Sequence, residues 1–168
     1  MEQIKHLDES KIYYLDESGI DDNEVPLHGW SKKGARLHGE KNGYRKKRLS
    51  IIACKNKTKI IAPFYFEGAC NREIIQVYLE KVLAQNLKKG DILIMDNASF
   101  HKGGKIQSFL DQIGVTLIYL PPYSPDFNPI EKSWSSIKNT IRKFIQKCDN
   151  DLYQAAQKAF SSILSAAF

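Results

Sequence analysis

The segment Gly90-Asp91-Ile92-Leu93-Ile94-Met95-Asp96-Asn97 sets four consecutive apolar residues between a glycine and an acid. A run with no polar alternation suits a central strand covered on both faces, the usual condition of a parallel sheet. Its neighbours agree. Upstream, Asn71 is placed to cap a helix reaching about Lys88. Its apolar positions Ile75, Tyr78, Leu79, Val82 and Leu83 have helical spacing, and Gly90 follows as a stop. Downstream, Ile106, Phe109, Leu110 and Ile113 mark one side of a second helix closed by Gly114, and Val115 to Leu120 forms the next strand.

Further out the pattern changes. Ile12 to Asp16 is a short β-rich run that ends on an acid, and Leu49 to Cys54 and Lys59 to Phe66 are two more strands joined by a turn at Lys55 to Thr58. Between 17 and 48, Gly19, Pro26, Gly29, Gly34, Gly39 and Gly43 favour turns, with one strand expected near Trp30. Two helices finish the chain, Pro129 to about Lys147 and Asp151 to about Ala166. The last is expected to bury Leu152, Ala156, Ala159, Phe160, Ile163 and Leu164. An antiparallel meander followed by crossovers predicts one α/β domain, a mixed five-stranded sheet with helices on both faces. Residues 1–11 read as a tail and 12–168 as the domain.

Composition narrows the class. With 42% hydrophobic and 26% charged residues the chain is neither disordered nor membrane-spanning, and its polar start has no signal-peptide core. Cys54, Cys70 and Cys148 make neither a zinc pattern nor a disulfide framework, so they read as buried or incidental thiols of a reducing cytoplasm. A net charge of +6 points to an anionic partner, nucleic acid being the commonest. The run Tyr44-Arg45-Lys46-Lys47-Arg48 suits a DNA backbone, with solvated surface charge as the alternative.

In sheets of this kind ligands gather beyond the carboxyl ends of the parallel strands. Asp16 and Asp96 each close a predicted strand. If the first and fourth strands are neighbours, the two carboxylates meet at one edge. An acid at a strand end is also a common turn residue, and alternation sends Asp16 and Glu17 to opposite faces without choosing between them. Asp21 and Asp22 fall in the turn-rich segment and read as solvated. Glu131 has two readings. With Asn128 as N-cap and Pro129 as first helical residue it sits where a capping box would bond it back to the cap. Alternatively, Ile130, Trp134, Ile137, Ile141 and Ile145 form the buried stripe, and Glu131, Ser135, Lys138 and Arg142 form a polar row beside the sheet edge. That row suits a metal followed by phosphate backbone. Four prolines between Pro121 and Pro129 stiffen the approach to Glu131. Asp126 is a rival acid in a turn, and Trp134 and Tyr123 read as packing residues.

The segments Leu15-Asp16-Glu17-Ser18, Met95-Asp96-Asn97-Ala98-Ser99-Phe100-His101 and Leu120 through Trp134 resemble the three catalytic motifs of mariner-type transposases, especially their bacterial insertion-sequence relatives. Residues 97–130, 34 in number, separate the second and third acids, a spacing typical of that superfamily. Gly29-Trp30-Ser31-Lys32-Lys33-Gly34 is similar to a further family segment. The resemblance covers about residues 12 to 147. It implies a ribonuclease H-like fold and selects Asp16 over Glu17. It also implies a DDE catalytic domain in which Asp16, Asp96 and Glu131 hold two Mg²⁺ or Mn²⁺ ions, Asp16 being shared by both.

The expected reaction is metal-dependent cleavage and strand transfer of double-stranded DNA, at transposon ends and at the target. Arg45, Lys46, Lys47, Arg48, Lys138 and Arg142 are expected along the DNA, with Asn97 and His101 as accessory candidates. For His101, a locally bonded helix-entry role stands beside phosphate contact or proton transfer. Mutual repulsion of the acids without metal is expected to leave the empty site partly disordered or to raise pKa values there. Complete relatives carry an N-terminal helix-turn-helix region. With the first strand starting near Ile12, the expectation is a split or truncated enzyme served by a separate helix-turn-helix polypeptide. The family also implies a homodimer on DNA and a nucleoid-associated, cytoplasmic location. Two rivals stand beside this reading: a non-catalytic DNA-binding remnant and a different ribonuclease H-like nuclease.

Overall fold

The computed structural model describes residues 8–21, 32–34, 48–122 and 124–165. Five strands, β1 (Ile12–Asp21), β2 (Arg48–Lys55), β3 (Ile60–Glu67), β4 (Ile92–Met95) and β5 (Thr116–Tyr119), form one sheet in the order β3-β2-β1-β4-β5. The first three pair antiparallel, whereas β4 runs parallel to both β1 and β5. Four α-helices accompany them: α1 (Arg72–Tyr78), α2 (Gly104–Gln112), α3 (Glu131–Ile145) and α4 (Leu152–Ser165). The expected mixed sheet with helices on both faces is therefore present.

Strand alternation sorts the buried residues onto two faces of the sheet, with two large clusters and a smaller third of Ile12, Ile92, Ile94 and Leu120. On one face Ile20, Leu49, Ile51 and Ala53 pack against α3 and α4 through Trp134, Ile137, Ile141, Ala156 and Phe160. On the other, Leu15, Ile52, Cys54, Leu93 and Met95 pack against α1 and α2 through Ile75, Tyr78, Ile106 and Leu110. All four residues of β4 are buried, as a strand covered on both sides requires. Of the stripe expected on α3, Ile130, Trp134, Ile137 and Ile141 are buried and Ile145 is half-buried. On α4 Ala155 is also buried, while Ile163 and Leu164 stay half-buried.

Several boundaries differ from the sequence pattern. β1 does not stop at Asp16. It continues to Asp21 because β2 goes on pairing with it, from Asp16↔Ala53 to Asp21↔Arg48. Asp21 is accordingly a half-buried strand residue rather than a solvated loop residue. The helix capped by Asn71, whose side chain accepts from Ile74 N at 2.9 Å, is regular only to Tyr78. It then widens into a π turn at Leu79–Leu83 and tightens to a 3₁₀ turn at Ala84–Asn86. Gly114 closes α2 with φ 73°, a left-handed conformation that suits glycine. Trp30 and Tyr123 lie outside the described residues.

Candidate active site

The parallel pairing of β1 with β4 ends at Tyr14↔Ile94. Asp16 and Asp96 each stand two residues further on, and their even positions place them on the same face as Tyr14 and Ile94, the face from which Trp134 of α3 reaches Asp16. Because β4 stops at Met95 while β1 runs on, a crevice opens beyond the carboxyl end of β4. Its cavity of about 450 Å³ is lined by Asp16, Asp96, Asn97, Ala98, Glu131 and the loop residues Leu120, Pro121, Pro122, Ser124 and Asn128. Acids from three separate parts of the chain thus share one cavity.

Each carboxylate is presented differently. Asp16 is 6% exposed, and its Oδ2 accepts a hydrogen bond from Trp134 Nε1 at 2.7 Å. The indole fixes α3 against β1, and Glu131 lies one turn earlier on the same helix. Glu131 is exposed, and its side chain makes no capping-box bond back to Asn128 among the described residues. α3 begins at Glu131 rather than at Pro129. Asn128 is buried: its Nδ2 donates to Leu15 O at 3.5 Å and its Oδ1 accepts from Ile130 N at 3.4 Å. The proline-rich loop is thereby tied to the strand carrying Asp16.

Asp96 is held from behind. His101 Nδ1 lies 2.5 Å from Asp96 Oδ1, and Ala98 N donates to the same oxygen at 3.0 Å. The other ring nitrogen, Nε2, meets Glu17 Oε1. His101 is fully buried and does not line the cavity, whereas Asn97 does.

These partners separate the acids electrostatically. Burial raises the Asp16 pKa to about 7; the Trp134 hydrogen bond opposes the shift, and the charges of Glu131 and Glu17 reinforce it. Asp96 moves the other way, its carboxyl held below the usual range chiefly by His101. The direction expected is seen for Asp16, but burial rather than repulsion between the acids is its main cause, and Asp96 shifts the opposite way because His101 sits against it. For His101, burial alone favours the neutral ring, but hydrogen bonds and charge from Asp96 and Glu17 outweigh it and raise the pKa to about 10.

The acids at the cavity offer only oxygen, a donor set suited to Mg²⁺ or Mn²⁺. Among the described residues, no three His, Cys, Asp or Glu side chains are drawn together closely enough to hold an ion. Closing such a ligand set requires side-chain rotation, which an exposed glutamate on the first helical turn permits.

The basic residues are dispersed. Arg45, Lys46 and Lys47 lie outside the described residues. Arg48 begins β2, its guanidinium packed over Gly19 so closely that a Cβ there would lie 2.6 Å from Nη2. Lys138 and Arg142 are half-buried along α3, and Arg142 Nη1 donates to Asn139 Oδ1 at 2.7 Å. Asp126 is exposed and does not line the cavity. Cys54, Cys70 and Cys148 are free thiols. Sequence reasoning missed the Trp134–Asp16 bond. A tryptophan inside a buried stripe needs an acceptor for its N–H, and that signal was available. It also missed the service Glu17 gives to His101.

A five-stranded mixed sheet with acids gathered past the end of its central parallel strand defines a ribonuclease H-like nuclease core. The family model described as DDE superfamily endonuclease matches residues 11–152, so the chain belongs to that superfamily. The proteins it is similar to include transposases of transposable elements. The chain is 25% identical over 100 residues to the transposable element Tcb1 transposase of Caenorhabditis briggsae, covering 57% of this chain and 37% of the relative. It is 31% identical over 72 residues to an uncharacterised protein of Sinorhizobium fredii, 42% of this chain and 50% of the relative. It thus spans half or less of these curated relatives. Among solved structures, it matches the Mos1 transposase paired-end complex with left transposon end at TM-score 0.66 and 14% identity, covering 99% of this chain and 58% of that one. It matches the HTLV-2 integrase catalytic core domain in complex with magnesium at TM-score 0.58 and 15% identity, covering 90% of this chain and 82% of that one. No described helix is long and apolar enough to cross a membrane.

Proposed function

We propose that this domain cleaves DNA strands and joins them to new sites, as the catalytic part of a transposase, with Asp16, Asp96 and Glu131 as the acids that hold divalent metal. The observation that carries the reading is the single cavity lined by all three acids at the carboxyl end of β4. Family membership implies a divalent metal, and the donor chemistry fits two Mg²⁺ or Mn²⁺ ions. When bound, the ions supply charge neutralisation at the phosphate and activation of the attacking hydroxyl. The chain's own part is positional. Trp134 holds Asp16 Oδ2, the proline-rich loop lines the cavity, and the buried cores on either face of β1 keep Asp16 on a rigid element. Arg45, Lys46, Lys47, Arg48, Lys138 and Arg142 are proposed to follow the DNA backbone, with Asn97 at the scissile phosphate. The domain boundary at residue 12, assembly as a homodimer on paired ends, and a nucleoid-associated location in the cytoplasm belong to the same proposal.

The test is nicking of supercoiled DNA in Mn²⁺. Asp96→Asn is expected to lower the rate by about a thousandfold or more, the several kcal/mol that correctly held metal contributes to such a transition state, while the far-UV spectrum stays that of the folded chain. Wild-type cleavage by Asp96→Asn would sink the assignment.

A further inference from the structure

Glu17 shares its tetrapeptide with Asp16 yet faces away from the cavity, on the side of the sheet covered by α1 and α2. It still reaches the site indirectly. Beyond Tyr14 the edge of β1 has lost β4 as a neighbour, and the turn Ser99–His101 fills that gap. His101 sits there fully buried, one ring nitrogen on Asp96 and the other on Glu17. Ionised carboxylates only accept hydrogen bonds, so a ring between two of them donates from both nitrogens.

The turn itself is anchored from two elements. Tyr119 Oη donates to His101 O at 2.8 Å, and Arg72 Nη2 donates to Ser99 O at 3.3 Å. Asp96 Oδ1 accepts from both His101 and Ala98 N, whereas Oδ2 has no hydrogen-bond partner among the described residues. A carboxylate with one oxygen doubly held and the other unheld has a fixed rotation about its side chain.

We propose that His101, braced by Glu17, is a positioning residue for Asp96: the pair fixes which carboxylate oxygen Asp96 turns into the cavity. The proposal rests on the reading of Asp96 as a metal-holding acid. Glu17 acts only through His101, and neither residue touches substrate. Residues that orient a ligand in this way commonly change metal affinity by about ten- to a hundredfold when removed.

Calorimetric titration of the whole chain with Mn²⁺ tests it. Glu17→Ala and His101→Ala are each expected to weaken binding by about ten- to a hundredfold. The double variant should bind no more weakly than His101→Ala alone, and Glu17→Gln, which keeps an acceptor oxygen, should fall between wild type and Glu17→Ala. A merely structural defect lowers Tm and the fraction of chain that binds, without changing the Kd of that fraction. If His101→Ala fails to fold, the two Glu17 variants decide the question. Wild-type Kd in the Glu17 and His101 variants, with binding lost in Asp96→Asn, overturns the positioning role and leaves the metal site standing. Wild-type binding in both Asp16→Asn and Asp96→Asn overturns the metal site and the positioning role with it.

Discussion

Asp16 and Asp96 occupy matching places on adjacent parallel strands, face the same cavity, and are held in opposite ways. Asp16 is buried under α3, and its side-chain partner is a neutral indole. Asp96 has a half-exposed side chain and takes hydrogen bonds from an imidazole and a backbone amide. The first carboxyl therefore resists ionisation, with a pKa near 7, and the second ionises more readily than usual. Position on the sheet sets where an acid points. The partner behind it sets whether it carries charge. A cation entering this cavity meets one carboxylate that ionises readily and one that ionises less readily.

Four experiments on chelator-treated protein sharpen or break this contrast. The largest effect is expected from Asp16→Asn. The raised pKa means that the Asp16 contribution to stability is fully present below about 3.8 and lost as pH rises through about 7. At pH 8 the neutral isostere should be more stable than wild type by up to about 4 kcal/mol, at 1.36 kcal/mol per unit, and urea midpoints measured across pH 4–8 should converge at the acid end. Equal midpoints at pH 8 would show that Asp16 is not strained by ionisation.

Trp134→Phe comes next. Losing the donor to a charged acceptor costs about 1.5–3 kcal/mol at pH 8, and the Asp16 carboxyl ¹³C titration should move further up. A titration that stays in place would show that the indole contributes packing alone.

His101→Gln probes the other acid. A histidine raised to about 10 stabilises the fold fully below its unfolded value near 6.5, and that contribution is lost as pH rises through about 10. Urea midpoints of the variant should depend less on pH than wild type between 6.5 and 10. Parallel curves would mean that the ring is not held charged by its two carboxylates.

The smallest effect belongs to Glu131→Gln. It removes the larger of the two charges that raise the Asp16 pKa, an influence smaller than that of the Trp134 hydrogen bond, so the Asp16 titration should fall slightly, by less than Trp134→Phe raises it. An unchanged titration would place the Glu131 carboxylate too far from Asp16 to share a cation with it.

Much of this architecture is legible in the chain itself. The apolar run at Ile92–Met95 requires cover on both faces, and the helical stripe from Ile130 to Ile141 marks a helix that must pack on the sheet, where it covers β1 and β2, because periodicity records which side chains must leave water. The motif around Asp16, Asp96 and Glu131 marks the site because those acids cluster with rigid or apolar segments. Other features were not legible. The length of β1 depends on Arg48 to Ala53 pairing beside it, and nothing local in Glu17-Ser18-Gly19-Ile20-Asp21 announces that. Whether Glu131 caps its helix or faces the cavity depends on where the proline-rich loop is tied, which Asn128 and Leu15 decide together across more than a hundred residues.

The sequence by itself determined the order of elements, the acids to watch and the family they belong to, since these rest on local patterning and motif spacing. Only the tertiary structure decided how the acids are held. Trp134 and Asp16 stand 118 residues apart, and His101 and Glu17 stand 84 apart. Proton affinity and carboxylate orientation depend on burial and on atoms within a few ångströms, which spacing along the chain does not encode.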